Sequence, residues 1–149
     1  MNKIKALLII ALIVAVGVGF FFFRLYQKDV QAITDFTVAY EKFDQATRDF
    51  SKGGTKELSD KALNALQDLK AKAAAFKVSS LVKNDPQLMS LAQQIADFSG
   101  QEMDNISAYK QALQNKSDKL NSLMQEYGDI ANRMRTAYTH FREFAGLNN

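Results

Sequence analysis

The chain has 149 residues, a natural length for one domain, and 47% of them are hydrophobic. Its 19 basic and 16 acidic residues give a net charge of +3 that is spread along the sequence, which argues against nucleic acid as a partner. The absence of cysteine excludes a cysteine-acylated lipoprotein and the Cys-x-x-Cys-His motif that attaches haem.

The first predicted element is an apolar helix near the N-terminus. Residues 6–23 carry no charged or hydrogen-bonding side chain. Twenty helical residues, 4–23, rise about 30 Å, which is the thickness of a bilayer hydrocarbon core. We therefore predict that residues 1–23 form an uncleaved membrane anchor. The alternatives are a cleaved signal peptide, against which the four phenylalanines at 20–23 argue, and a buried helix of a soluble protein.

Charge next to the apolar helix predicts its orientation. Lys3 and Lys5 precede the helix, and positive charge on a short tail favours a cytoplasmic N-terminus. Residues 24–149 would then form an extracytoplasmic domain, periplasmic or extracellular, of a single-pass protein of the inner or plasma membrane.

Three small residues within the anchor, Ala11, Ala15 and Gly19, fall four apart on one helix face. Small residues at this spacing let two membrane helices approach closely, so we predict a helix-packing face here. The alternative is that small residues are simply common in anchors and signal sequences.

Residues 24–149 repeat apolar side chains at helical spacing in four successive stripes. The stripes are Ile33, Phe36, Tyr40, Phe43, Thr47 and Phe50; Leu58, Ala62, Leu66, Leu69, Ala73 and Phe76; Leu88, Ala92, Ile95, Ile106, Tyr109 and Leu113; and Leu120, Leu123, Tyr127, Ile130, Met134, Ala137, Phe141 and Phe144. We predict an all-α fold in which the membrane helix continues into an antiparallel four-helix bundle.

Breaks between the stripes come from helix-ending and helix-capping residues. Two glycines end the first stripe, and Thr55 can cap the second helix. Asp85 is the predicted N-cap of the third helix, with Pro86 at its first position, and Gly146 is the predicted C-cap of the fourth. The polar cluster at 115–118 predicts a turn between the last two helices.

An extended coiled coil is the alternative to the bundle. The third and fourth stripes share a register, so residues 86–145 could form one rod about 90 Å long. Such a rod would span a gap between partners, whereas a bundle would dock beside one.

Alternating topology brings the connection between the second and third helices back to the anchor. This connection is basic and partly apolar, and we predict that five residues at this level contact the membrane surface: Arg24, Lys28, Lys77, Leu81 and Lys83. The alternative is that the lysines complement the dipole at the end of the second helix.

Few residues suggest chemistry, and we predict neither enzymatic activity nor a cofactor or metal site. His140 is the only histidine, and it lies beside the stripe residue Phe141, so a solvated position at the bundle edge is expected. Glu102 falls on the buried stripe, where it would need a partner such as Lys110 or Lys116, or would mark the register locally.

An anchor followed by a short helical domain resembles, in outline, phage inner-membrane spanins, chemoreceptor sensor bundles and small envelope accessory subunits. No motif selects one of these classes. We predict a non-enzymatic interaction or scaffold subunit of an envelope protein complex, which binds the membrane and another protein, or a second copy of itself. The alternatives are a ligand-binding or sensory bundle and a spanin-like coiled-coil protein.

Overall fold

The computed structural model describes residues 3–115 and 119–147, with side chains from residue 11 onward. The described residues form four helices and no strand: α1 Lys3–Gly53, α2 Lys56–Ala74, α3 Asp85–Gln114 and α4 Leu120–Phe144. The predicted all-α class and the four-helix count are confirmed.

Helix α1 is continuous from the apolar segment into the bundle, over 51 residues. From residue 11 onward it is long and apolar enough to cross a membrane, with a mean hydropathy of 1.4 over the most apolar window of that part, and none of that window is buried. From residue 11 onward, the first buried side chain along α1 is that of Asp29, and the core stripe begins at Phe36. The described side chains of the apolar segment, those of residues 11–23, therefore project from the bundle without an intramolecular partner.

Antiparallel packing of α1 and α4 follows from their ring contacts. The Phe36 ring lies 4.5 Å from that of Phe141, whereas Phe50, further along α1, lies 5.0 Å from Tyr127, which comes earlier in α4. The α1–α4 seam is thus filled by large aromatic side chains, while the backbones of successive helices approach closely. The predicted stripes form one hydrophobic core.

Helices α3 and α4 fold back on each other, so the single-rod alternative is wrong. The Asn105 Nδ2 atom donates to Glu126 Oε2 at 3.1 Å across the pair. At the other end, Asn84 Nδ2 donates to the carbonyl oxygen of Phe144 at 3.4 Å. Helix α3 ends at Gln114 and α4 begins at Leu120, on either side of the predicted polar cluster, of which residues 116–118 lie outside the described residues.

Most predicted helix ends are confirmed. The Thr55 hydroxyl accepts from the Leu58 backbone N–H at 3.3 Å. The predicted C-cap of α4 is wrong by one residue, because Ala145 is the C-cap and Gly146 follows it in the left-handed conformation. The predicted N-cap of α3 is wrong by one residue. Asp85 is already helical, and Asn84 occupies the cap with a φ of 63°, because its side chain bonds to the end of α4 instead of to its own helix.

The last turn of α4 differs from the prediction. Phe144 was expected in the core, but it is 39% exposed, and Tyr138 and Ala131 are buried beside the predicted stripe. A helix that packs against two neighbours buries a wider stripe than a helix in a two-stranded coiled coil. Residues beside the predicted stripe therefore enter the core as well. Phe144 lines a surface cleft beside Pro86 and Leu91 of α3 and does not enter the core.

Candidate functional site

The base of the bundle is the end from which the apolar segment emerges. It comprises the start of the folded part of α1, the connection 75–84 and the C-terminal end of α4. Asp29 is buried here, and its carboxylate accepts from the Ser79 backbone N–H at 2.8 Å and from the Ser79 hydroxyl at 2.5 Å. Hydrogen bonds to an ionised group are short and strong, so they fix the connection against α1, six residues after Phe23.

The connection at the base is a compact turn. The Val82 N–H donates to the Ser79 carbonyl oxygen at 3.1 Å, and the Leu81 N–H donates to the Ser79 hydroxyl at 3.3 Å. Val82 packs against the core, whereas Leu81 is 54% exposed. The turn therefore holds Leu81 outward in a defined position.

A surface cleft of about 370 Å³ lies beside Leu81. Its walls come from α1, the connection and the residues after α4, and they include Tyr26, Val30, Ile33, Leu81, Val82 and Leu147.

The predicted membrane-contact residues are all exposed and lie at the base. Lys77 and Lys83 flank Leu81 on the connection, while Arg24 and Lys28 lie one turn apart on α1. The Arg24 guanidinium lies 4.9 Å from the centre of the Phe20 ring, so this side chain reaches back along the apolar segment. The structure thus brings together residues that are far apart in the sequence.

The predicted helix-packing face of the anchor is also open. Ala11, Ala15 and Gly19 are exposed, and a Cβ added at Gly19 would meet no atom within 4 Å. Packing of a second helix on this face remains a prediction.

A second feature lies inside the bundle. Glu102 is fully buried, and neither of its carboxylate oxygens has a hydrogen-bond partner. Burial raises the pKa of this carboxyl to about 8; the nearby Glu126 carboxylate adds to the rise, and Arg133 and Arg135 oppose it. Glu102 is therefore largely protonated near neutral pH.

One of the two predicted partners of Glu102, Lys110, does not pair with it. Lys110 instead forms an ion pair with Asp60 of α2, which draws its ammonium group away from the core. Lys116, the other predicted partner, lies outside the described residues. The buried position of Glu102 on the stripe was predicted correctly.

Two hydroxyl groups share this environment. The hydroxyl oxygens of Thr47 and Tyr127 are buried without a well-formed hydrogen bond. Burial raises the pKa of Tyr127; the neighbouring Thr47 hydroxyl opposes the rise, and Glu102 adds to it. We call Thr47, Glu102 and Tyr127 the polar core cluster. The sequence carried a signal for it, because Thr47 and Glu102 both interrupt apolar stripes.

His140 lies at the surface, as expected, with its Nδ1 atom 3.3 Å from Glu143 Oε2. Within the described part of the chain, no group of three or more histidine, cysteine, aspartate or glutamate side chains is placed to hold a metal ion. No protein family, no curated protein and no solved structure matches the chain.

Proposed function

We propose that this chain is a membrane-anchored, non-enzymatic interaction or scaffold subunit of an envelope protein complex. Its N-terminus lies in the cytoplasm, and the bundle lies on the other side of the membrane. Partner proteins bind the exposed faces of the bundle, and the anchor contributes a second contact.

One observation carries the proposal: the apolar part of α1 is unburied although it is continuous with a folded bundle. An uncharged segment of this length stays out of water only when lipid or another protein covers it. The continuous helix then holds the bundle at a fixed position. The thirty residues from Phe23 to Gly53 rise about 45 Å, so binding faces are presented over that distance from the membrane.

The interior of the bundle also supports a binding role over catalysis. The core is filled by aromatic and aliphatic side chains, and the clefts are open surface grooves. Acid–base catalysis needs titratable groups that a substrate can reach, whereas Glu102 is sealed from solvent.

Site-specific photocrosslinking of the full chain in its native membranes tests the proposal. A photoreactive residue replaces an exposed side chain on each of three helices, at Lys42, Lys61 and Gln101. At least one position is expected to give a discrete crosslink to another protein, identified by mass spectrometry. The control at Leu66, which is fully buried, should crosslink only within the chain. Crosslinks within a single chain at every exposed position would overturn the scaffold role.

A ligand-binding or sensory bundle is the second candidate, and the polar core cluster favours it. Buried polar groups without partners are costly, and a polar ligand that entered through a local opening of the bundle would remove that cost. Such a ligand would raise the Tm of the full chain in detergent by mass action. The substitution Glu102→Gln should abolish that rise. A rise that survived the substitution would place the ligand elsewhere.

A further inference from the structure

We propose that the base of the bundle rests on the membrane surface and binds anionic lipid headgroups, with Leu81 entering the interfacial layer. This inference rests on the proposed membrane anchoring of α1 and adds a second, independent contact with lipid. It assigns a function to the connection 75–84, which the anchor alone does not require.

Exposed apolar side chains are concentrated at the base. Beyond residue 23, the described residues show five large hydrophobic side chains that are exposed: Tyr26, Val30, Val38, Leu81 and Phe144. All but Val38 lie at the base. A water-facing end of a soluble bundle has no need of such a concentration, whereas an end that meets the membrane interface does.

Distances along α1 place the base at the outer edge of the headgroup layer. The polar layer on each side of the hydrocarbon core is about 5–8 Å thick. If the apolar segment ends at Phe23, Tyr26 lies about 4.5 Å beyond it, within this layer, and Val30 lies about 10 Å beyond it, just outside the layer. Leu81 lines the same cleft as these two residues, because the Asp29–Ser79 bonds hold its turn at that level. The side chain of Leu81 is thus within reach of the interfacial layer.

Charge at the base matches an anionic surface. Four exposed cations surround it: Arg24, Lys28, Lys77 and Lys83. Two carboxylates also lie at the base: that of Asp29 is buried and already accepts two hydrogen bonds, and that of Asp85 is half-buried in the first turn of α3, so the four cations outnumber them. Basic residues held near a membrane are attracted by anionic headgroups, and the contributions of several residues add.

The dipole of α2 does not account for these lysines. Helix α2 ends at Ala74, and Lys72 already lies in its last turn. The dipole effect fades within that turn, whereas Lys77 and Lys83 lie three and nine residues beyond it. Their position on a turn that presents Leu81 is explained by contact with lipid.

Tryptophan fluorescence quenched by brominated phospholipids tests the inference on the full chain. The protein contains no tryptophan, so each variant carries a single reporter. Phe22→Trp reports on the anchor and Leu81→Trp on the base. Val38→Trp is the matched control, because Val38 is also an exposed apolar residue of α1 but lies about 22 Å beyond Phe23. Vesicles are made of phosphatidylcholine, with or without phosphatidylglycerol.

We expect Phe22→Trp to be quenched in both vesicles and Val38→Trp in neither. Leu81→Trp should be quenched at least twofold more strongly in the anionic vesicles. Adding Lys77→Ala and Lys83→Ala should remove at least half of that difference and leave the Phe22→Trp signal unchanged. Circular dichroism confirms that each variant is folded, which is expected because every substituted side chain is exposed.

The outcomes separate this inference from the proposed anchoring. An unquenched Phe22→Trp reporter would overturn the anchoring. If Phe22→Trp is quenched and Leu81→Trp is not, the lipid contact of the base is overturned and the anchoring stands. If Leu81→Trp is also protected from aqueous acrylamide, a protein covers the base in place of lipid. Equal quenching in neutral and anionic vesicles would overturn the recognition of anionic headgroups.

Discussion

The hydroxyl of Tyr109 donates a hydrogen bond to the carbonyl oxygen of Gly54 at 3.2 Å and fills the space where a side chain at position 54 would begin. A Cβ on Gly54 would lie 2.4 Å from that hydroxyl oxygen. Gly54 also has a φ of +54°, a conformation that costs other residues about 1 kcal/mol or more. The turn between α1 and α2 is therefore coupled to the core at the end of the bundle far from the anchor.

Two glycine substitutions should shift stability in opposite directions. We expect Gly54→Ala to lower the free energy of unfolding by about 1–3 kcal/mol, through strain at a positive φ and displacement of Tyr109. Gly128→Ala should raise it by about 0.5–1 kcal/mol, because Gly128 lies within α4 and a Cβ there meets no atom within 4 Å. Urea unfolding of the full chain in detergent, followed by circular dichroism, measures both. A shift of the same sign for both variants would contradict this description of the turn.

The Asp29–Ser79 contact should stabilise the base. Asp29→Ala removes two hydrogen bonds to a carboxylate, and we expect a loss of about 2–3 kcal/mol together with faster amide hydrogen exchange over residues 79–85. Asp35→Ala is the control, because Asp35 is an exposed acid on the same helix. The substitution Asp35→Ala should change the free energy of unfolding by less than about 0.5 kcal/mol. Unchanged exchange in Asp29→Ala would show that the turn is held in some other way.

The buried carboxyl of Glu102 should make stability depend on pH. Its pKa is about 8 in the folded chain, against 4.5 for an ordinary glutamate, so the folded state binds the proton more tightly than the unfolded state. Stability is therefore full below about pH 4.5 and falls as the pH rises towards 8, by at most about 1.4 kcal/mol per pH unit. The whole loss is roughly 3–5 kcal/mol.

Glu102→Gln supplies the matched variant, since glutamine has the same shape and does not titrate. The urea midpoint of the native chain should fall between pH 5 and pH 9. The part of this fall that the titration of Glu102 causes should be absent from the variant. The variant should be the more stable protein at the alkaline end. A parallel pH dependence of the two proteins would show that Glu102 does not titrate in this window.

Local signals in the sequence were enough to predict the helices. The glycines after Ser51, the cap at Thr55 and the stripe from Phe36 to Phe50 act within one or two helical turns, so their effect does not depend on the rest of the fold. The same reasoning gave the α3–α4 turn. It misplaced Phe144, which lines a surface cleft beside α3, because the face of a last helical turn that becomes covered depends on how distant elements pack around it.

Contacts between distant residues could not be predicted in the same way. No local pattern in the sequence indicates that Asp29 is buried, because its hydrogen-bond partner, Ser79, lies fifty residues away. The interior position of Glu102 followed from its place on the stripe, but its lack of a partner did not. That lack depends on Asp60, fifty residues from Lys110, which engages the lysine at the surface.

Phe141 joins three elements of the core, and its truncation should be costly. Its ring lies 4.5 Å from that of Phe36 and 5.3 Å from that of Phe76, and the side chain is fully buried. Phe141→Ala should cost about 3–5 kcal/mol in urea unfolding, the range for a buried aromatic side chain. His140→Ala, one residue away on the exposed face, should stay within about 0.5 kcal/mol. If His140→Ala lost more stability than Phe141→Ala, the face of α4 that is assigned to the core would be wrong.

Reporter fusions test the orientation of the chain. The antiparallel bundle returns the end of α4 to the base, so a reporter joined after Asn149 through a flexible linker lies on the same side of the membrane as the bundle. Because Lys3 and Lys5 precede the apolar segment, we expect a reporter that requires export, such as alkaline phosphatase, to be active there. A fluorescent reporter that folds only in the cytoplasm should stay dark.

The substitution Gln27→Lys adds positive charge just beyond the segment at an exposed position, and it should shift part of the population to the opposite orientation. A native chain that lights the cytoplasmic reporter would reverse the assigned orientation, and the headgroups that meet the base would then be those of the cytoplasmic leaflet.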